Sequence, residues 1–255
     1  MNHIRIIPRL DVKNDTIVKG IHLEGLRVVG NPQELALKYY ENGADELLYM
    51  DAVASLYERN SLHDIISKTS EKVFIPITVG GGLRSIDDIR NVLRSGADKV
   101  AINTAAIKNP EFISEAANTF GSQCIVVSIE AKKIADDKWE AFIDTGREST
   151  GVNAIDWAHR CVDLGAGELL ITSIDSEGTK KGFEIDLIKK ISSKVPIPVI
   201  ACGGAGEKSH FIDLFNSANI EAVSCASILH YEIMTISQIK HELHKKSISV
   251  RLINE

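Results

Sequence analysis

Few features of this sequence point away from a plain globular enzyme. No apolar run approaches the roughly 18 residues of a membrane span, and the N-terminal segment has no secretory apolar core. Lysine and arginine total 29 against 35 aspartate and glutamate, a net charge of −6. That balance excludes a basic footprint for nucleic acid and a polybasic patch for membranes. The four cysteines, Cys124, Cys161, Cys202 and Cys225, form no Cys-x-x-Cys pair and have no histidine pair nearby. Buried free thiols in a reducing cytoplasm are expected of them, with no bound metal and no cofactor.

What is present is a long alternation of short β-rich apolar runs with helical patterns, the signature of parallel βα units. Strands are expected at residues 4–11, 46–51, 73–80, 99–103, 124–130, 168–173, 196–201 and 221–226. Helices are expected at 32–42, 85–95, 110–120, 154–164 and 207–216, among others. Asn31-Pro32 and Asn109-Pro110 supply an Asn cap with Pro in the first turn, and Ser85 with Asp88 forms an acidic capping box. Two connections are long for a compact domain, 12–30 and 131–151, and such loops are usually functional. Alternation in Lys138-Trp139-Glu140-Ala141-Phe142-Ile143-Asp144 suggests a small hairpin within the second. Eight strands in 255 residues fit a single α/β domain, a (β/α)8 TIM barrel, which typically needs about 250.

An internal repeat is the strongest signal. The run from Lys72 to Gly82 lines up with Lys194 to Gly204 at an offset of 122. Gly43-Ala44-Asp45-Glu46 recurs as Gly165-Ala166-Gly167-Glu168, and Asn103-Thr104-Ala105 falls on Cys225-Ala226-Ser227, both at 122. Asp11-Val12-Lys13 matches Glu130-Ala131-Lys132 at 119. The expectation is one barrel domain over 1–255 made from two fused half-barrels, about 1–122 and 123–255.

In such barrels ligands sit at the C-terminal ends of the strands, where glycine loops and helix N-termini hold phosphate. Gly81-Gly82 ends the third strand and Gly203-Gly204 the seventh; Asn103-Thr104 and Ala226-Ser227 end their neighbours. Two equivalent cradles imply a long ligand with a phosphate at each end. Asp11 and Glu130 end the first and fifth strands, across the barrel from each other, as a general acid and base would. Asp51 and Ser173, repeat mates, are expected to orient substrate. At the opposite rim Arg5, Glu46, Lys99 and Glu168 stand at strand starts, a neutral ring of four charges that could form a gate.

These residues resemble the HisF family, the cyclase subunits of imidazole glycerol phosphate synthase. The matching stretches span nearly the whole chain. They include Arg5-Ile6-Ile7-Pro8, Val18-Lys19-Gly20, Gly80 to Ser85, Gly121 to Val127, Gly178-Thr179-Lys180, Gly203 to Gly206 and Ala226-Ser227-Ile228. The resemblance implies a lyase of histidine biosynthesis. It would convert a bisphosphorylated ribulosyl-formimino aminoimidazole carboxamide ribotide, with ammonia, to imidazole glycerol phosphate and aminoimidazole carboxamide ribotide. It implies a glutaminase partner (HisH) in a heterodimer, docked on the barrel floor and feeding ammonia through the charged gate. It assigns catalysis to Asp11 and Glu130 and a mobile loop to Lys19. One phosphate goes to Gly82, Asn103 and Thr104, the other to Gly178, Gly204, Ala226 and Ser227.

Departures from the family pattern gather near the chemistry. Glu130 and Glu177 replace aspartates, Val28-Val29 replaces Asp-Ser, and Arg9 replaces a cysteine. Strand alternation puts Arg5, Ile7, Arg9 and Asp11 on one face, so Arg9 should enter the barrel and find an acid, Asp11 or Glu130. That would hold both acids ionised and narrow the ammonia path. The departures also suit a second reading, a HisF-like paralogue that pairs with a glutaminase to supply ammonia to a sugar amidotransferase in surface-polysaccharide synthesis. A third is a sugar-phosphate isomerase on the same scaffold.

Overall fold

The computed structural model describes residues 3–53 and 62–253. Alternation sorts each strand into an inner and an outer face, and the chain closes these strands into a ring. β1 (Arg5–Lys13) is followed by β2 (Thr16–Ile21) and β3 (Glu24–Gly30), then β4 (Leu47–Asp51), β5 (Ile77–Gly80) and β6 (Lys99–Ile102). β7 (Ile125–Ala135) is followed by β8 (Lys138–Ile143) and β9 (Glu148–Asn153), then β10 (Glu168–Ser173), β11 (Val199–Cys202) and β12 (Ala222–Cys225). Eight of them, β1, β4, β5, β6, β7, β10, β11 and β12, pair in parallel in that order. The ring shuts where β12 meets β1, as Arg5 to Pro8 run beside Ala222 to Cys225. Helices fill the connections, giving the expected (β/α)8 barrel.

Outward-facing residues such as Ile6, Leu10, Leu47, Tyr49, Val127 and Leu169 form the main core against the helices. Inward-facing ones form a separate apolar plug that includes Ile7, Leu48, Val126, Leu170 and Ile200. Burying a side chain of this size contributes about 1.5–3 kcal/mol. No helix among the described residues is long and apolar enough to cross a membrane.

Several expectations shift. The connection 12–30 is not a loop: β1 runs on to Lys13 and pairs antiparallel with β2, which pairs with β3. Its counterpart after β7 is the expected hairpin with a third strand added. The strand expected from 73 begins at Ile77. The Asn31 cap and the Ser85–Asp88 box form, but the helix Glu111–Phe120 is capped by Pro110 without a side-chain bond. The repeat register slips by one at the last strand. β6 starts at Lys99 and β12 at Ala222, an offset of 123, so Asn103 matches Ala226 and not Cys225. Backbone angles agree: φ and ψ are −130° and −83° at Asn103, and −128° and −72° at Ala226.

Candidate active site

The period-two rule that brings Ile7 into the plug brings Arg9 and Asp11 in above it. On β7 it brings in Val126, Ser128 and Glu130. Asp11 and Glu130 therefore meet at the C-terminal mouth, each 5% exposed. Both line one cavity of about 250 Å3 together with Asp51, Gly82, Asn103 and Thr104. The two hairpins roof it: Leu23 from the first packs with Phe142 from the second and with Ile174.

The two acids are held differently. Arg9 Nε donates to Asp11 Oδ1 at 2.8 Å, and its Nη1 reaches Thr172 Oγ1 at 3.3 Å and Cys202 Sγ at 3.7 Å. Burial alone would raise the Asp11 carboxyl. Arg9, then the Lys19 ammonium 3.9 Å from Oδ2, outweigh it and hold Asp11 below the usual carboxylate range. Glu130 has no ion-pair partner among the described residues; it accepts from Asn103 Nδ2 at 3.1 Å. Burial dominates there and pushes its carboxyl up to about 7, against the pull of Arg9 and a backbone donor at Gly146. So Arg9 binds Asp11, and the expectation that it keeps both acids ionised gives way to an unequal pair.

The second cradle lies across the mouth. Gly178, Gly204, Ala226 and Ser227 line a smaller cavity of about 20 Å3. Arg9 and Lys19 border both cavities. Lys19, 3% exposed, sits on β2 and is ion-paired with Glu177, whose Oε2 also accepts from Leu23 N at 2.9 Å. The first hairpin is thereby latched over the second cradle. Gly81 and Gly203 both have φ of +97°, which an L side chain rarely adopts. A Cβ would meet Asp51 O at 2.5 Å in the first and Ser173 O at 2.9 Å in the second. Asp51 borders the large cavity, whereas the buried Ser173 lines neither and accepts from Ser176 N in a turn.

At the floor, Arg5 pairs with Glu46 at 2.8 Å and with Glu168, and Lys99 pairs with each acid at 2.9 Å. Four charges alternate around one ring, and Thr78 Oγ1 donates to Glu46 as well.

Sequence reasoning missed three residues. Asp144 and Thr145, at the tip of the second hairpin, border the large cavity with φ of +51° and +61°. Thr104 Oγ1 accepts from Asp144 N at 3.1 Å. The signal was the Asp-Thr-Gly turn closing an alternating run. His230, behind Asp11, accepts or donates to Tyr39 Oη at 2.6 Å, and burial lowers its imidazole to about 4, so it is neutral at pH 7. A lone histidine in an apolar stretch gave no signal. Among the described residues no cluster of His, Cys, Asp or Glu could hold a metal ion.

Comparison with known proteins places the chain in a family. Residues 5–235 match the histidine biosynthesis protein family. The chain is 60% identical over 211 residues to imidazole glycerol phosphate synthase subunit HisF of Legionella pneumophila, covering 83% of this chain and all of that protein. It is 49% identical over 248 residues to the HisF subunit of Bacillus cereus strain Q1 and 50% identical to that of strain G9842. Each of these two alignments covers 97% of this chain and 98% of the relative. The chain belongs to the histidine biosynthesis protein family and, within it, groups with the HisF cyclase subunits.

Proposed function

We propose that this protein is the cyclase subunit of an imidazole glycerol phosphate synthase. It takes the bisphosphorylated ribulosyl-formimino aminoimidazole carboxamide ribotide and ammonia to imidazole glycerol phosphate and aminoimidazole carboxamide ribotide, in histidine biosynthesis. The observation that carries the reading is the buried, unequal pair of Asp11 and Glu130 between two glycine cradles in a chain nearly half identical to full-length HisF subunits. Gly82, Asn103 and Thr104 hold one phosphate; Gly178, Gly204, Ala226 and Ser227 hold the other. Lys19 closes the first hairpin over the substrate, and Asp51 orients it.

The chemistry follows from the charge states. A nitrogen that adds to carbon as ammonia carries a surplus proton, and a nitrogen that departs as an amine needs one. Asp11, kept as a carboxylate, suits the first task; Glu130, half protonated near pH 7, suits the second.

Ammonia comes from a glutaminase partner of the HisH type, in a heterodimer seated on the floor. The ring of Arg5, Glu46, Lys99 and Glu168 acts as its gate. Support comes from the interior above the ring, where the buried hydroxyls of Ser128 and Ser224 have no hydrogen-bond partner among the described residues and can receive a small polar molecule. Four unpaired cysteines fit a cytoplasmic setting. We read 1–122 and 123–255 as copies of one half-barrel. The similarity to HisF subunits does not favour the polysaccharide paralogue.

The test is release of aminoimidazole carboxamide ribotide from the bisphosphate substrate with an ammonium salt as nitrogen source. The wild type should turn over without any partner, and Asp11→Asn should lower kcat/KM by about 100-fold or more. No release at saturating ammonium would overturn the reading.

A further inference from the structure

The Arg9 side chain does something that its neighbours on the inner face do not. β1 sits between β12 and β4, yet this guanidinium passes β12 and reaches Cys202 on β11 and Thr172 on β10. It is 4% exposed and rests directly above the apolar plug. Its contacts are graded. The bond to Asp11 is short and charged on both sides, while those to Thr172 and Cys202 are long and weak. Glu130, on the far side of the same cavity, receives no bond from it.

We propose that Arg9 is a positioning residue that divides the labour of the two acids: bolted to Asp11, it reserves that carboxylate to accept a proton and leaves Glu130 to donate one. The division of labour rests on the cyclase reading; the asymmetry of the pair does not. Two carboxyls of similar burial would otherwise compete for one proton, and neither would be committed. A guanidinium is suited to the choice because it stays charged throughout the accessible pH range.

Charged and titratable groups reach the cavity of the pair from several elements, among them Asp51 at the end of β4, Arg84, Lys108 and Asp144. Lys19 faces Asp11 from β2, and Glu177 neutralises Lys19 from the turn after β10. Glu130 faces the pair from β7, Cys202 touches Arg9 from β11, and His230 stands behind Asp11 from the helix Ser227–His230. His230 is neutral near pH 7 and Lys19 is already engaged by Glu177, so Arg9 is the strongest single influence favouring the charged form of Asp11.

Arg9→Met removes the charge and keeps the length; Arg9→Lys keeps the charge and loses the fork. Carboxyl 13C NMR titrations of aspartate- and glutamate-labelled protein, assigned with Asp11→Asn and Glu130→Gln, read both acids without reference to turnover. In Arg9→Met the Asp11 titration should move up by at least about one pH unit, more than that of Glu130, and Arg9→Lys should fall between. In the ammonium-dependent assay the acid limb of kcat/KM should move up with it. A structural role alone would lower the rate at every pH and leave the limb in place. An Asp11 titration unchanged in folded Arg9→Met overturns the proposal. If that variant does not fold, an Arg9→Lys titration indistinguishable from wild type together with an unchanged Arg9→Gln overturns it. A wild type without turnover counts against the cyclase reading alone, because the titrations still decide the role of Arg9.

Discussion

Gly81 and Gly203 share a φ of 97°, and each has a backbone carbonyl where a side chain would begin, Asp51 O for the first and Ser173 O for the second. Yet the cavity beside the first is about 250 Å3 and that beside the second about 20 Å3, room for little more than a water molecule. The frame is repeated and the fillings differ. Over the second cradle the hairpin of β2 and β3 is clamped by Lys19 and Glu177, with the Gly178 backbone against Gly20. Over the first, the hairpin of β8 and β9 brings Asp144 toward Thr104 through a 3.1 Å bond. Two positions with the same backbone frame thus open onto cavities of very different size and closure.

The largest expected break in the symmetry is at Gly204. A Cβ there would lie 1.8 Å from Gly182 O, at a φ of +108°. Its mate Gly82 has a φ of +71°, in the ordinary left-handed well. Gly204→Ala should cost more than ~3 kcal/mol or prevent folding, because backbone strain and a backbone clash add. Gly82→Ala should cost about 1–2 kcal/mol. Urea denaturation of both variants checks the order, and equal losses would show that the second cradle is not the tighter one.

Next in size is the pH dependence of the two acids, which should have opposite signs. Glu130 titrates near 7 when folded and near 4.3 when unfolded, so the folded state binds the extra proton. Its contribution is complete below the unfolded value and is lost as pH rises from about 4.3 to about 7. The loss amounts to roughly 3 kcal/mol. Asp11 is depressed, so its contribution is present above the unfolded value, about 3.9, and is lost as pH falls further. Unfolding free energies of Glu130→Gln minus wild type should rise by about 3 kcal/mol between pH 4.5 and 8. A flat difference would mean that Glu130 is solvated in solution.

How much of this was legible depended on whether the signal was local or tertiary. The barrel, the floor ring and the facing acids could be read because strand alternation and the repeat offsets, 122 residues and 119 at the acids, are properties of the chain alone. The first hairpin could not. Its turn residues His22 and Leu23 have φ of +54° and +64°, where Asn-Gly would have announced a tight turn. They are held there from outside: His22 N donates to Glu177 O at 2.9 Å, His22 Nδ1 meets Ile174 O at 2.8 Å, and Leu23 packs on Phe142 and Ile174. The unequal acids were half legible. Alternation put Arg9 inside, but Asp11 and Glu130 are equivalent in sequence, and only the fork geometry chooses between them. The one-residue slip at β12 was hidden because both registers place small residues at the strand end.

The smallest effect tests the repeat where it is most faithful. Asn31 Oδ1 accepts from Gln33 N at 2.9 Å and Glu34 N at 3.1 Å. Its mate Asn153 accepts from Ile155 N at 2.9 Å and Asp156 N at 3.1 Å. Each cap leads from a third hairpin strand into a ten-residue helix. Replacement by alanine should cost about 1 kcal/mol at either site, since two helix N–H donors lose an acceptor that exposed water only partly replaces. One asymmetry remains: Pro32 fixes φ at the first helical position, and Ala154 does not. Asn31→Ala should therefore lose slightly less than Asn153→Ala, by a few tenths of a kcal/mol, because proline preserves the entry angle when the cap is gone. Thermal unfolding of the two variants side by side measures this. A gap much above ~1 kcal/mol would locate the difference in the hairpins, since the two caps make the same pair of bonds at the same distances.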